Sequence, residues 1–298
     1  MVGIIILNYN GSRDTCACVK DLRANLKEGT YRIIVVDNAS APEDRNGLQE
    51  LDAMGIQVIY NNENSGYAAG NNIGIRAAME QGCSHICVMN NDTVIESDFL
   101  TPCVAYLDEH PEVAFVGPTL LNGSGEDVQS TGGTVDILRG RVAIINGGIA
   151  YKDVPETVEC DYVCGACILF RVADVGALGL IPEQYFLFFE ETEWCYRAKR
   201  HGYKNVVLGT TYIRHIGSVT VEKISALSSY LMARNRLVFV KRNSNTCKYL
   251  FFVCFYAAES LYRGLRYGKE YFHNLSAMWD GICNRVDLKR FPFIKIKP

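Results

Sequence analysis

The sequence lacks any apolar run close to the roughly 20 residues that a membrane-crossing helix needs. It also lacks internal repeats and low-complexity tracts, which excludes a repeat architecture. The apolar opening VGIIIL has no basic leader and no cleavage-type site, so it indicates a first β-strand and not a signal peptide. We expect a protein of the cytosol, whose 298 residues suffice for one large domain or for a domain with an extension.

The twelve cysteines form no regular framework. The one close pair, Cys164 and Cys167, has neither a second cysteine pair nor a histidine pair that would complete a zinc site. In a reducing compartment, such cysteines are typically small buried apolar side chains. We favour that interpretation over metal or redox chemistry.

Charge is small overall but uneven along the chain. The formal net charge is −3, yet residues 241–298 carry eleven lysines and arginines against four acidic residues, an excess of seven positive charges. The rest of the chain therefore carries a net charge of −10. A basic tail on an acidic body indicates an anionic surface as a partner, and we expect no nucleic-acid partner.

Short β-branched runs alternate with helical periodicity over the first hundred residues. The runs GIIILNYN, RIIVVDN, IQVIY and HICVM have the character of strands. Apolar residues recur at helical spacing between them, with Ser12 as the expected N-cap of the first helix and further helices expected over roughly 42–53 and 70–80. This alternation predicts βαβ units and a largely parallel sheet, in which ligands gather at the carboxyl ends of the strands.

Polar residues follow all four predicted strands. The strands end in NYNG, in DN, in NNENSGYAAGNN and in NND. Turn chemistry explains some of this pattern, because Asn, Asp and Gly favour turns. We favour a ligand site, since all four ends converge on one edge of the sheet.

The second half of the chain changes character. Residues 113–170 are rich in glycine and predict hairpins in a mixed, partly antiparallel region. The aromatic stretch YFLFF then leads into a helix that ends near Gly202, and the chain is mostly helical from about residue 222. We therefore expect a boundary near 218–222, between a main domain over 1–220 and a C-terminal helical extension over 221–298.

Two aspartates at strand ends have both a chemical and a structural interpretation. Asp92 is placed to hold a hard divalent cation, or else it turns the chain toward Thr93. Asp37 is placed to accept hydrogen bonds from a nucleobase, or else it starts the following turn. Taken alone, each aspartate is explained more safely by the turn.

Three acids, Glu190, Glu191 and Glu193, follow the aromatic stretch. Burial and mutual repulsion can drive the pKa values of adjacent carboxylates apart and leave one of them as a general base. The alternative is an acidic first turn that complements the helix dipole, with Glu193 and Arg197 paired on an ordinary solvated helix. The two interpretations stand about even for Glu191 on spacing alone.

Three basic side chains are ambiguous. His215 in YIRHIGSVT is, from the residues alone, more typical of a packed or hydrogen-bonded histidine than of a metal ligand. Arg234 and Arg236 in ARNRL could face phosphates, but a solvated helix face is the better interpretation without further information.

Together these stretches resemble the family 2 glycosyltransferases, in the branch of rhamnosyltransferase-like enzymes. The resemblance covers most of the first 240 residues, in the order IIILNYNG, IIVVDNAS, NNENSGYAAGNNIGIR, VMNNDT, CGACILFRV, FFEETEWCYRAKRHGY, HIGSVT and YLMARNRLVF. It implies an α/β fold of the GT-A type, with a mixed, mostly parallel sheet flanked by helices. Residues 1–110 would then form the nucleotide-sugar-binding half and residues 111–220 the acceptor-side half of the catalytic domain.

The resemblance also implies roles for single residues. It implies Glu191 as the catalytic base, Asp92 with His215 as the residues facing a Mg²⁺ or Mn²⁺ ion, and residues 164–166 as a segment near the acceptor. It implies nucleoside and donor binding by residues at the strand ends, namely Tyr9, Asn10, Asp37, Gly66, Gly70, Asn71 and Asn91.

Two positions depart from the family pattern. Asn90 replaces the first acid of the family's DxD-type motif, which leaves fewer negative charges for a metal ion. The base position holds Glu191 where aspartate is usual. The extra methylene moves the carboxylate by roughly an ångström or more, so the geometry toward the acceptor can differ.

The activity implied by the resemblance is an inverting transfer of a sugar, with rhamnose favoured, from a dTDP- or UDP-sugar. The acceptor would be a hydroxyl of a glycan or lipid-linked glycan in surface polysaccharide synthesis. The alternatives are a sugar nucleotidyltransferase or hydrolase on a similar sheet, and a non-catalytic nucleotide-sugar-binding subunit. For the aromatic, basic tail, packing on the catalytic domain or on a second subunit in a homodimer is slightly favoured over a peripheral position on the inner membrane face.

Overall fold

The computed structural model describes residues 1–217, 225–267 and 273–286. Within these ranges the chain forms a ten-stranded mixed sheet, a separate two-stranded hairpin and flanking helices, the last three of which are C-terminal.

The first part of the chain alternates strands and helices, as the hydrophobic periodicity predicts. Its strands are β1 (Val2–Asn8), β2 (Tyr31–Asp37), β3 (Gln57–Tyr60) and β4 (His85–Asn90). Its helices are α1 (Ser12–Asn25), α2 (Pro42–Gly47), α3 (Gln49–Ala53), α4 (Gly66–Glu80) and α5 (Leu100–Glu109).

These four strands are parallel and lie in the order β3-β2-β1-β4. Successive side chains of β1 point to opposite faces, so Ile4 and Ile5 are both fully buried in two different hydrophobic clusters. This burial on both faces explains why the strands read as continuous β-branched runs. The register places Asn8 beside Asp37 and Leu7 beside Asn90, so the carboxyl ends meet at one edge of the sheet.

The second part supplies the antiparallel strands that the glycine-rich region predicts. The remaining elements of the main domain are β5 (Thr93–Val94), β6 (Val113–Leu121), β7 (Val128–Ser130), β8 (Gly133–Asp136), β9 (Arg141–Ile144), β10 (Thr157–Cys160), β11 (Cys167–Arg171), α6 (Val175–Leu178), α7 (Glu190–Arg200) and β12 (Lys204–His215). β11 lies antiparallel between β4 and β6, and β12 runs parallel to β6. β10 is antiparallel to β12, and β8 pairs only with β9 among the described strands.

The C-terminal helices are α8 (Ser225–Asn243), α9 (Thr246–Tyr267) and α10 (His273–Ile282). They share a buried core with Tyr185 and Phe189 of the aromatic loop, which we define as residues 185–189. No helix among the described residues is long and apolar enough to span a bilayer. The predicted boundary near 218–222 lies outside the described residues, so the division into domains stays a prediction.

Three local predictions were wrong. The helix expected over 42–53 is two helices separated at Leu48, and α4 begins four residues earlier than expected, at Gly66. Gly11, and not Ser12, occupies the N-cap of α1. Asp44 of α2 serves this helix start instead, since its Oδ1 accepts a hydrogen bond from the Ser12 backbone N–H at 2.9 Å.

Nine of the twelve cysteines are buried or half-buried, as predicted for small apolar side chains. The prediction was wrong for Cys247, Cys254 and Cys283, which are exposed in or near the C-terminal helices. All twelve are free thiols, and no group of three or more potential metal ligands occurs among the described side chains.

Candidate active site

The edge formed by the ends of β1 and β2 is organised by Asn8, which the sequence did not single out. Its buried side-chain amide donates to Asp37 Oδ1 at 3.0 Å, to Ser40 Oγ at 3.0 Å and to Asp44 Oδ2 at 2.9 Å. Its Oδ1 accepts a hydrogen bond from Thr15 Oγ1 at 2.8 Å. One residue therefore joins the ends of two strands to the starts of two helices.

Asp37 is fully buried at the end of β2. Its Oδ2 accepts a hydrogen bond from Arg45 Nε at 2.7 Å, and the same guanidinium donates to the Asn61 carbonyl at 2.6 Å. The charge of Asp37 is thus met by a cation from α2. Its role in binding a nucleoside stays a prediction, and Arg45 joins it as a neighbour that helical spacing did not indicate.

Tyr9 is half-buried and Asn10 is exposed in the loop after β1. Asn10 adopts a left-handed conformation with φ of 53°. Its backbone N–H donates to Ser40 Oγ at 2.8 Å and its Oδ1 accepts from the Ala41 N–H at 2.8 Å. The loop is therefore fixed to the segment after β2, while contact with a nucleoside stays a prediction for both residues.

The glycines of α4 allow close packing. Gly66 has φ of +83°, and a Cβ there would lie 2.5 Å from the Phe186 carbonyl oxygen. A Cβ at Gly70 would lie 2.6 Å from Leu7 Cδ1. Asn71 is fully buried, and its Oδ1 has no hydrogen-bond partner among the described residues. These contacts explain why α4 lies against β1 and the aromatic loop; a part in shaping the donor pocket stays a prediction.

Asp92 and His215 are brought together although 123 positions separate them. β5 pairs antiparallel with β12, which places Thr93 opposite His215, and the Ile216 N–H donates to the Asp92 carbonyl at 3.0 Å. As a result, Asp92 Oδ1 lies 3.2 Å from His215 Nε2. Both side chains are largely buried, so this contact is shielded from water.

His215 contacts a side-chain amide at each ring nitrogen. Gln129 Oε1, an acceptor, lies 2.8 Å from Nδ1, and Asn90 Nδ2, a donor, lies 3.4 Å from Nε2. A neutral ring with its proton on Nδ1 satisfies both contacts and carries a lone pair on Nε2. That lone pair faces Asp92 Oδ1, a buried oxygen without a hydrogen-bond partner among the described residues.

This donor set fits a divalent cation. An imidazole nitrogen and a carboxylate oxygen 3.2 Å apart, both with free lone pairs, can be adjacent ligands of one ion. A histidine ligand usually donates its other N–H to an acceptor, as His215 does to Gln129. Among the residues that the structure describes, only these two side chains offer ligands here, since Asn90 replaces a second acid and Asn91 is directed elsewhere.

Asn91 is directed toward the loop after β1. Its side-chain amide donates to Thr15 Oγ1 at 3.0 Å and to the Gly11 carbonyl at 3.3 Å. The residue therefore ties the motif after β4 to the start of α1. Its predicted contact with the donor stays a prediction.

The three acids at the start of α7 have three different environments. Glu190 is 2% exposed, and its Oε2 has no partner among the described residues. Glu193 is buried but bound to Arg242 Nε at 2.8 Å and to the Tyr185 hydroxyl. Only Glu191 retains partial exposure. Of the three, it is the carboxylate that an acceptor can reach.

Burial raises the pKa of Glu191 above the usual range of a glutamate, and it raises the pKa of Glu190 further because Glu191 lies beside it. A raised pKa makes Glu191 a stronger base than an exposed glutamate once it is ionised. The alternative of a solvated helix with a Glu193–Arg197 pair was wrong. Glu193 binds Arg242, and Arg197 donates to the Leu180 carbonyl.

The segment of residues 164–166 lies between the two predicted halves of the chemistry. The Asn90 N–H donates to the Ala166 carbonyl at 3.0 Å, and a Cβ at Gly165 would lie 3.6 Å from Glu191 Cδ. Burial raises the pKa of the Cys164 thiol to about 11, and the charges of Glu191 and Asp92 both add to that increase.

The aromatic loop that leads into Glu191 is strained. Phe186, Phe188 and Phe189 have φ values of 69°, 71° and 77°, a left-handed region that bulky residues rarely adopt. Asn235 of α8 holds the loop, since its amide donates to the carbonyls of Tyr185, Leu187 and Phe188 at 3.1, 2.7 and 2.8 Å. On the opposite side, the Tyr67 N–H donates to the Phe186 carbonyl at 2.7 Å.

The prediction of a solvated helix face was wrong for both Arg234 and Arg236. Arg234 is 1% exposed and donates to the Gln184 carbonyl at 2.6 Å, just before the aromatic loop. Arg236 donates to the Gly140 carbonyl at 2.9 Å and pairs with Glu259. These arginines of α8 therefore bind partners within the protein. The helical periodicity of the sequence did not indicate those contacts.

The sequence profile described as glycosyl transferase family 2 matches residues 3–177. This range contains four parallel strands, Asp92 and the segment 164–166. The chain belongs to glycosyl transferase family 2. The low-salt glycan biosynthesis hexosyltransferase Agl10 of Haloferax volcanii is a similar member, 27% identical over 80% of this chain and 74% of its own length. The dTDP-rhamnosyl transferase RfbF of Shigella flexneri is 24% identical over 80% of this chain and 79% of its own.

Solved structures share the fold of this glycosyltransferase. The mannosyltransferase PcManGT of Pyrobaculum calidifontis, in complex with GDP-Man and Mn²⁺, aligns with a TM-score of 0.60 and 12% identity over 96% of this chain and 88% of its own. GalNAc-T7 with UDP, GalNAc and Mn²⁺ also gives a TM-score of 0.60, at 14% identity, over 90% of this chain but only 58% of its own. S. aureus TarS 1-349 gives 0.58 at 16% identity, over 95% of this chain and 80% of its own. The predicted GT-A type fold is confirmed.

Proposed function

We propose that this family 2 glycosyltransferase moves a sugar, with rhamnose favoured, from a nucleoside diphosphate sugar to a hydroxyl of a glycan acceptor, with inversion at the anomeric carbon. One observation carries the proposal. The short segment of residues 164–166 contacts both parts of the site: the Ala166 carbonyl accepts from the Asn90 N–H, two residues before Asp92, and Gly165 lies against Glu191. A site for the donor's diphosphate and a base for the acceptor thus border the same segment of chain.

In the proposed reaction, Glu191 takes the proton of the acceptor hydroxyl. The acceptor oxygen forms a bond to the anomeric carbon as the bond to the diphosphate oxygen breaks on the opposite face. The nucleoside diphosphate leaves with the electrons of that bond. The raised pKa of Glu191 supports its role, because a base with a pKa nearer neutrality accepts the proton more readily.

Asp92 Oδ1 and His215 Nε2 are the atoms that would hold a Mg²⁺ or Mn²⁺ ion. When bound, such an ion stabilises negative charge on the departing diphosphate. One carboxylate and one neutral imidazole neutralise only half of the ion's charge. We therefore expect the cation to bind weakly alone and more tightly together with the diphosphate.

The choice of donor and acceptor rests on relatives. The dTDP-rhamnosyl transferase RfbF supports dTDP-rhamnose, whereas UDP and GDP-Man occur in the similar solved structures. We propose a glycan or lipid-linked glycan of surface polysaccharide synthesis as acceptor, on the cytosolic side. A thermal-shift panel of dTDP-, UDP- and GDP-sugars with Mn²⁺ would identify the nucleobase and the sugar of the donor. A ligand present at 100 times its Kd stabilises the folded protein by about 2.7 kcal/mol, which shifts the melting temperature measurably.

Asp92→Asn tests the metal-binding half of the site. The substitution keeps the shape of the side chain but removes its charge, so we expect the affinity for the donor in Mn²⁺ to fall at least about tenfold and to become insensitive to chelator. Asp108→Asn, at an aspartate whose side chain is 58% exposed, is the matched control. Calorimetry with and without EDTA measures both. An unchanged, chelator-sensitive affinity in Asp92→Asn would remove Asp92 from this role.

The rival activities have less support. A non-catalytic binder needs no accessible carboxylate beside the donor site, yet Glu191 remains half-exposed while its neighbour Glu190 is buried. A hydrolase would release nucleoside diphosphate equally with and without acceptor. Acceptor-dependent release is the result that we expect.

A further inference from the structure

Helix α9 exposes an apolar strip that no described residue covers. Five of the large apolar side chains exposed on the described chain lie on this one helix, with exposed fractions between 54% and 77%: Leu250, Phe251, Leu261, Tyr262 and Leu265. The smaller residues Cys254, Ala257 and Ala258 are exposed between them. The opposite face, with Phe252 and Tyr256, is buried against the rest of the C-terminal core.

The strip is continuous. At about 100° per residue, these eight exposed positions fall within an arc of roughly 140° that runs along about four turns of helix. A strip of this length and width is larger than the scattered apolar residues that a soluble surface normally carries. We therefore expect a binding partner to cover this strip.

The charges on α9 indicate which kind of partner covers the strip. Its exposed charged residues are all basic, namely Lys248, Arg263 and Arg266. The single acid of the helix, Glu259, has a side chain only 10% exposed and is surrounded by Arg141 at 2.6 Å, Arg236 at 3.1 Å and Arg263 at 3.1 Å. One buried carboxylate thus faces three guanidinium groups. Arg263 is one of them and lies on the side of Phe252 and Tyr256, so the charges that flank the apolar strip are those of Lys248 and Arg266.

We propose that α9 lies flat on an anionic bilayer, with its apolar strip among the acyl chains and Lys248 and Arg266 at the phosphates of the headgroups. A second copy of the chain is a poorer occupant, because two copies of this helix would bring basic residues together without an exposed acid to meet them. The proposal does not depend on the transfer reaction.

Flotation of the full chain with lipid vesicles tests the proposal. We expect the wild-type chain to float with vesicles containing phosphatidylglycerol, to float much less with pure phosphatidylcholine, and to be released by 0.5 M salt, which screens the electrostatic contribution. Leu261→Gln with Leu265→Gln should lower the vesicle-bound fraction at least about tenfold, since each removes an inserted side chain. Both sites are exposed and glutamine favours helices, so folding should persist and can be checked by circular dichroism.

A single pair of variants provides the matched control. Leu265→Gln should weaken binding, whereas Ile144→Gln, at a position of β9 that is 59% exposed, should leave it unchanged. Absence of wild-type binding to phosphatidylglycerol vesicles, or equal binding of the double variant, would overturn the proposal. So would a wild-type dimer, seen by light scattering, that the double variant converts to a monomer.

Discussion

Replacing Asn235 by alanine should release the aromatic loop and remove most of the transfer activity. The side-chain amide of Asn235 has two N–H groups, which it shares among the carbonyls of Tyr185, Leu187 and Phe188. Its Oδ1 also accepts a hydrogen bond from the buried Arg234 at 2.7 Å. Alanine loses all of these bonds and leaves the carbonyls of a buried segment without their donor.

The magnitude follows from these contacts. Two neutral hydrogen bonds contribute about 1 kcal/mol each and the bond from Arg234 about 1.5–3 kcal/mol. The left-handed phenylalanines hold strain of order 1–3 kcal/mol each, part of which the freed loop would relieve. Because Tyr67 still holds Phe186, we expect a net loss of stability of about 2–4 kcal/mol.

The effect on activity should exceed the effect on stability. Glu191 is the second residue after the aromatic loop, and a shift of its carboxylate by about 1 Å can lower kcat roughly a hundredfold. Donor affinity should fall less than turnover, since no hydrogen bond or ion pair among the described residues joins Asp92 or His215 to the loop. Asn243→Ala is the matched control, because Asn243 lies on the same helix and donates one bond, to the Phe239 carbonyl at 2.9 Å.

Urea unfolding and steady-state kinetics of the two variants measure these quantities. We expect Asn243→Ala to lose about 1 kcal/mol and to keep its turnover. If Asn235→Ala turns over within about threefold of Asn243→Ala, the aromatic loop does not position the base, and this reasoning fails.

Three further predictions concern the same site. The folded state holds the pKa of Glu190 well above its unfolded value, so ionisation of Glu190 opposes folding above about pH 4.5. Glu190→Gln should therefore raise the melting temperature at pH 7 but not at pH 4. Equal shifts of the melting temperature at both pH values would contradict this. The rise of kcat/KM with pH should report ionisation of Glu191 and lie above the ordinary glutamate range, whereas a rate that is flat from pH 4 to 8 would exclude it as the base. Gly66→Ala should cost about 2–4 kcal/mol in urea unfolding, because its Cβ would overlap the Phe186 carbonyl and its φ is +83°; a neutral effect would mean that the helix start is not held there.

The parallel half of the fold could be predicted because its signals are local. Each strand is a β-branched run, each run ends in polar residues, and the parallel register then brings Asn8, Asp37 and Asn90 to one edge. The contact between Asp92 and His215 is not local. It depends on pairing of the two-residue strand β5 with β12, which no periodicity indicates.

The contacts that hold the aromatic loop before Glu191 were missed for physical reasons. The sequence predicts α8 to have a solvated polar face, yet Arg234 and Asn235 are buried there because the aromatic loop presents bare carbonyls to them. Left-handed backbone is expected at glycine or asparagine. The sequence therefore could not predict positive φ at three phenylalanines. Gln129 was also not predicted, because its contact is with a ring nitrogen of His215, 86 positions away in the sequence.

The central claim is that a donor site around Asp92 and a separate base at Glu191 together carry out the transfer. Parallel measurement of donor affinity and of acceptor-dependent turnover in Glu191→Gln tests it most directly, with Glu159→Gln, at an exposed glutamate of β10, as the control. We predict donor affinity within about threefold of wild type and turnover at least about a hundredfold lower. Turnover near that of the Glu159→Gln control would contradict the account.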